Sequence, residues 1–179
     1  MDKNALNNAF YDFKERFDNE FGGFGIAPKF PSPHNLLFLL RYYKIFDDKN
    51  ALEMVTTTLD KMRLGGIFDH IGYGFHRYST DKNWFLPHFE KMLYDQAMIS
   101  MAYLEAFEAT KDEKYAAIVE EIFSYTIRDM LNKEGGFFSA EDADSDGEEG
   151  TFYIWEFEDI INILGQDLGK EFCDIFGLS

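Results

Sequence analysis

The sequence predicts an all-α protein made of repeated helical hairpins, and three observations carry that expectation. Leu, Phe and Met outnumber Val among the apolar residues, which favours helices over sheets. Apolar residues recur at helical steps in three separate stretches. Each stretch ends near a pair of glycines, so one local event is written three times along the chain.

The elements follow in order. Leu6, Phe10, Phe13 and Phe17 mark a first stripe, closed near Gly22-Gly23. "NLLFLLRYYKIF" (35–46) is apolar on most faces and belongs inside, with Pro33 of Ser32-Pro33-His34 at its first position. Leu52, Val55, Leu59 and Met62 mark a second stripe, closed near Gly65-Gly66. After a long loop comes a second inner helix, "FEKMLYDQAMISMAYLEAF" (89–107), introduced by Leu86-Pro87-His88. Tyr115, Ile118, Val119, Ile122, Phe123, Thr126, Ile127 and Met130 form the third stripe, before Gly135-Gly136. A third inner helix is expected near Trp155-Glu156, without the Pro-His pair. Glycine just past a helix supplies a left-handed cap, so the double glycines read as terminators. They recur after 43 and 70 residues, at 22, 65 and 135. Outer helix, glycine loop and inner helix, three times over, suggest hairpins stacked around a shared interior, as in α-solenoids or α/α toroids. A single domain spanning 1–179 is expected, with short β-hairpins in its loops.

Composition narrows the function. Apolar residues make up 46 % and aromatics 18 %, so a packed core rather than disorder is expected. Acidic residues outnumber basic ones 33 to 17, and a net charge of −16 repels phosphate backbones, so nucleic acid is excluded as a partner. No apolar run is long enough to span a bilayer, and no secretory signal is read. Cys173 is a lone cysteine, so an internal disulfide and a Cys-X-X-Cys redox pair are both ruled out. A cytoplasmic location without membrane partners is the expectation.

If outer helices end and inner helices begin at the glycine loops, the loops share one face, and inner-helix N-termini carry partial positive charge towards it. The loop 65–95 holds Asp69, His70, His76, Arg77, Asp81, His88, Glu90 and Asp95, with Tyr73, Tyr78 and Trp84 between them. His88, placed in the first turn of its helix, would be kept neutral by the dipole and act as general base near Glu90. Rings with an arginine and carboxylates suit a sugar, whose faces stack and whose edges take hydrogen bonds. Candidate catalytic residues are His76, His88, Glu90 and Asp69. Candidate substrate-binding residues are Arg77, Tyr78, Trp84, Tyr94, Asp95, Glu141 and Asp142. His70, His76 and His88 lack a compact ligand spacing, so no metal and no cofactor are expected. The cluster is expected at the N-terminal end of the 88–107 helix.

Residues 139–156, "SAEDADSDGEEGTFYIWE", open like a calcium loop, with Asp142, Asp144 and Asp146 alternating before Gly147. An EF-hand needs a bidentate Glu at the twelfth position, which is Tyr153. The flanks "GFFSAED" and "GTFYIWE" read instead as strands of a β-hairpin with an acidic tip.

"GGFGIAPKFPSPHNLLFLLRYY", "GGIFDHIGYGFHRYSTDKNWFLPHFEKMLYDQA" and "GGFFSAEDADSDGEEGTFYIWE", in that order, resemble the spermatogenesis-associated protein 20 family. The resemblance covers nearly the whole chain; members commonly have Gly where this chain has Tyr73. It implies a six-hairpin α/α toroid joined to a thioredoxin-like domain. That domain and about three further hairpins are not read here, so the chain is expected to be a fragment, the N-terminal part of the toroid. The toroid is shared with six-hairpin glycosidases and with N-acylglucosamine and cellobiose 2-epimerases, which implies carbohydrate chemistry and a small sugar as partner. In an epimerase-like scheme His76 and His88 exchange protons, Arg77 holds the substrate and Glu90 orients or replaces a base. In a hydrolase-like scheme Asp69 pairs with Glu90 or Asp142. The rival is a non-catalytic module that partners the thioredoxin-like domain. A homo-oligomer is expected through exposed toroid edges, formed by the Leu6–Phe17 helix and the Ile160–Phe176 segment.

Overall fold

A computed structural model describes residues 2–178. The fold is all-α, and its strands are two-residue pairs in the loops. The chain divides into two compact units, 1–142 and 143–179.

Five helices build the first unit: α1 (Lys3–Arg16), α2 (Pro33–Phe46), α3 (Lys49–Leu64), α4 (Leu93–Thr110) and α5 (Glu113–Tyr125), the last prolonged by a π-helical turn, Thr126–Met130. Inner helices α2 and α4 pack on each other, backed by α3 and α5, while α1 lies against α2. Most positions of the expected apolar stripes are buried or half-buried, but Phe123 and Ile127 of the third are exposed. Phe10 stacks on Tyr42 at 4.4 Å, and Val55, Leu59 and Met62 meet Leu36, Leu39 and Ile99 in one core. Full burial of one such side chain stabilises by about 1.5–3 kcal/mol. Of the α1 stripe, Phe10 is buried, while Leu6, Phe13 and Phe17 pack partly buried against this core.

Outer and inner helices start differently. Asp2, Asp48 and Asp112 cap α1, α3 and α5 by accepting the backbone N–H of Asn4, Asn50 and Lys114. No side chain caps α2 or α4. Backbone oxygens serve instead: the Asn35 N–H donates to the Ser32 oxygen at 2.9 Å and the Leu93 N–H to the Ser139 oxygen at 3.0 Å.

The repeat is real, but its register differs from the double glycines. Phe17 bridges Phe24, Phe68 bridges Phe75, and Leu131 bridges Phe137. Inside each bridge an Asp or Asn makes the same turn. Asp18, Asp69 and Asn132 each accept through Oδ1 the N–H two residues on, at 3.0, 3.0 and 3.1 Å. Their own N–H groups donate to Gly23, Gly74 and Gly136 oxygens. The counterpart of Gly22-Gly23 is thus Tyr73-Gly74, all four at positive φ, and not Gly65-Gly66. Gly65 ends α3 in an extended conformation (φ −83°) rather than a left-handed cap. It and Gly66 are there for another reason: a Cβ on either would collide with the carbonyl oxygens of Trp84 and Phe85.

Strands β1 (Tyr78–Ser79) and β2 (Pro87–His88) pair antiparallel, as do β3 (Lys91–Met92) and β4 (Ala140–Glu141). These ladders occupy 87–92, so α4 begins at Leu93 and Pro87 is not its first residue.

In the second unit, β5 (Asp144–Ser145) and β6 (Glu148–Glu149) form a tight hairpin around Asp146 and Gly147, both at positive φ. The acidic tip is a hairpin, but the expected flanking strands are not. Ala140–Glu141 belongs to the β3 pairing, and 151–153 is a turn leading into α6 (Phe157–Leu164), which packs on α7 (Gln166–Phe176). No helix among the described residues is long and apolar enough to cross a membrane.

Candidate functional site

The loop between α3 and α4 is held from several sides. Gln96, buried in α4, accepts the Phe75 N–H at 2.8 Å and donates to the Phe75 oxygen at 2.7 Å. Lys29 and Ser79 exchange two backbone hydrogen bonds of 2.8 Å, tying the α1–α2 loop to β1. That junction sets Phe30 against Tyr78, with ring centroids 4.9 Å apart. Tyr78 in turn stacks on His88 across the β1–β2 ladder, at 4.9 Å and 17°.

Arg77 Nη1 donates to Glu90 Oε2 at 2.7 Å, and His88 Nε2 lies 3.9 Å from the same oxygen. The Arg77 N–H also donates to the Glu90 carbonyl at 2.8 Å. A half-exposed ion pair contributes about 0–1 kcal/mol to stability, so its consequence is positional. Arg77, Tyr78, His88 and Glu90 are brought together as expected, just before α4. His88, however, sits on a strand, so the helix-dipole argument for its neutrality does not apply to it.

Beside this cluster the starts of α2 and α4 line a cleft of about 300 Å³, whose walls include Phe30, Pro31, Ser32, His34, Tyr94 and Asp95. Tyr94 is half exposed, while Asp95 is only 7 % exposed. The Asp95 Oδ2 has no hydrogen-bond partner among the described residues. Burial pushes its carboxyl up to about 6, against the pull of Arg77 and with a smaller push from Glu90.

Three expected site residues have other work. Trp84 is fully buried, donating from Nε1 to the Phe21 oxygen at 2.8 Å, with Lys29 Nζ over its ring; it is core and not a sugar platform. Asp69 accepts from Lys91 Nζ at 2.8 Å and from the Ile71 and Gly72 N–H groups. Burial opposes its charge, but Lys91 and those amides hold its carboxyl below the usual range. His76 is 2 % exposed, and its Nδ1 lies 3.0 Å from the Phe89 oxygen, which fixes the Nδ1–H tautomer since a carbonyl only accepts. Burial and nearby Lys91 lower its pKa to about 4, so the ring stays neutral. None of the three lines the cleft, and Arg77, Tyr78, His88 and Glu90 adjoin it through the Phe30–Tyr78 contact rather than forming its lining.

Glu141 accepts the Tyr125 hydroxyl at 2.5 Å and pairs through its backbone with Lys91; Asp142 is exposed. Sequence reasoning missed Phe30, His34 and Gln96. Gln96 left a signal as the carboxamide on an inner helix that is apolar on most faces; Phe30 left none.

No family model matches the chain. Human spermatogenesis-associated protein 20 is 45 % identical over 168 residues, 88 % of this chain. The chain spans about a fifth (21 %) of that relative's length. Among solved structures, cellobiose 2-epimerase from Bacillus thermoamylovorans superposes with a TM-score of 0.67 at 13 % identity, covering 94 % of this chain and 52 % of that one. A GH76 α-mannanase from Bacteroides thetaiotaomicron gives 0.65 at 19 % identity, covering 83 % and 44 %. At such identities the likeness shows the fold alone. By sequence the chain is therefore a relative of spermatogenesis-associated protein 20, matching one stretch of that longer protein, and by fold it is an α/α-toroid protein.

Proposed function

We propose that the cleft at the starts of α2 and α4 binds a small sugar and that the cluster beside it moves a proton on that sugar, as an epimerase or isomerase does. The observation that carries this reading is the joining of Arg77, Glu90, His88 and Tyr78 in one constellation beside a cleft with aromatic walls. Arg77, fixed by Glu90, offers its remaining N–H donors to sugar hydroxyls or a carbonyl. Phe30, Tyr78 and Tyr94 supply ring faces, and His88 is the proton carrier. The toroid fold, which the chain shares with a sugar epimerase, fits the same reading.

Hydrolysis fits less well. It requires two carboxylates flanking one glycosidic bond, and Asp69 is engaged by Lys91 and two backbone amides. The test is incubation with cellobiose and with D-mannose in D₂O, followed by proton NMR. Loss of the C2 proton signal and appearance of the epimer or ketose are expected. Release of monosaccharide without exchange would make the site hydrolytic, and no change in either sugar would remove the reading.

A further inference from the structure

Asp95 is the one ionisable side chain of the cleft that is almost wholly buried. It stands in the first turn of α4, whose N-terminus no side chain caps. Its Oδ2 is buried without a hydrogen-bond partner among the described residues, although the neighbouring polar groups of this helix start are well satisfied: Gln96 makes three hydrogen bonds. A buried carboxyl left without a partner costs stability, and a fold retains such a group where a ligand uses it. Around it stand the charged and titratable groups of three elements: Arg77 and Glu90 from the loop, His34 from the start of α2, and Tyr94 from α4 itself. None of these neutralises it by a direct bond.

We infer that Asp95 is the proton-transfer group of the cleft, taking over the role that the sequence assigned to His76. The inference rests on the sugar reading and deepens it. His76 is buried outside the cleft lining and committed to the Phe89 carbonyl, whereas Asp95 reaches the cavity. The step balances without any co-reactant. The Asp95 carboxylate takes the proton from the carbon next to the carbonyl of an open-chain sugar. The C–H electron pair becomes a C=C bond, and the carbonyl π pair moves to its oxygen, which takes a proton from protonated His88. An enediol, neutral Asp95 and neutral His88 result. Return of the Asp95 proton to the adjacent carbon, with the other hydroxyl proton going to His88, gives the isomeric sugar and restores both groups. A carboxyl that titrates near neutrality is matched to holding and releasing such a proton, and burial supplies that match here.

The test uses the protein with cellobiose and D-mannose as probes. Asp95→Asn keeps the shape and removes the titration; Asp95→Glu keeps the acid. C2 deuterium exchange is followed against pH, and the carboxyl is titrated by ¹³C NMR with and without sugar. The expected result is at least a hundredfold loss of exchange in Asp95→Asn, partial activity with a displaced pH profile in Asp95→Glu, and a carboxyl titration that moves when sugar binds. Exchange by the wild type that persists in a folded Asp95→Asn with the same profile overturns this inference and leaves the sugar reading standing. Absence of exchange in the wild type removes both together. Should Asp95→Asn fail to fold, the Asp95→Glu profile decides: an unchanged profile overturns the assignment.

Discussion

His76 and Asp95 titrate in opposite senses, and their linkages oppose each other over one pH window. Folding lowers the His76 pKa from 6.5 to about 4, so its contribution to stability is present above 6.5 and is lost as the pH falls towards 4. Folding raises the Asp95 pKa from 3.8 to about 6, so its contribution is present below 3.8 and is lost as the pH rises through 6. Each full shift corresponds to about 3 kcal/mol, and between the two folded values the slopes nearly cancel. Asp95→Asn should therefore raise stability near pH 7 by about 2 kcal/mol and unmask a steep loss of stability on acidification from 6.5. Adding His76→Gln should flatten that loss. Urea unfolding at stepped pH measures both, and an Asp95→Asn profile parallel to the wild type would contradict the assignment.

At the scale of elements, two glycine pairs that look alike in sequence should respond differently to alanine. Gly66→Ala drives a Cβ into the Phe85 carbonyl, while Gly136 faces open space. The expected losses are about 2–3 kcal/mol for the first and under about 0.5 for the second. Comparable melting temperatures for the two variants would show that the close approach relaxes freely. The loops are also stapled by buried lysines. Lys29 Nζ donates to Asp18 at 2.7 Å and to the Gly22 and Lys82 oxygens at 2.8 and 2.9 Å. Burial would raise the Asp18 pKa, yet Lys29 and the Phe21 and Glu20 amides hold it low. Lys29→Met strands these acceptors and should cost about 3 kcal/mol by denaturant titration. Because Lys29 also pairs with Ser79 through its backbone, the variant should loosen Phe30 from Tyr78 and weaken any cleft ligand.

For the molecule as a whole, the α6–α7 helices leave Ile163, Leu168, Ile175 and Phe176 between 56 and 70 % exposed. Apolar patches of this kind are uncommon on soluble monomers. The charge of −16 opposes contact between copies, and salt screens it with a length of about 10 Å at 0.1 M. Concentration-dependent association that strengthens with added salt is the expected outcome in light scattering. Ile175→Glu with Phe176→Glu should abolish it. A particle that stays monomeric at high salt would mean that this face is not adhesive.

The helices were legible because each carries its own evidence. Phe10, Leu59 and Ile122 sit at helical spacing, and burying a stripe is the only way to remove it from water. The Asp-turn repeat was also written locally, in 17–24, 68–75 and 131–137, although the double glycines at 65–66 disguised its register. Which polar residues reach the cleft was not local at all. Lys91 captures Asp69 from 22 residues away, Lys29 meets Ser79 across 50, and the glycines at 23 and 65 make the space that Trp84 fills. Sequence determined the helical stripes, the loops that carry the histidines and the residue types available for chemistry. Tertiary structure alone decided that Trp84 and His76 are core, that Asp69 is spent on a lysine, and that Asp95 keeps a raised pKa at the cleft. Desolvation and pairing depend on what the rest of the chain places around a group, and no short stretch of sequence encodes its surroundings.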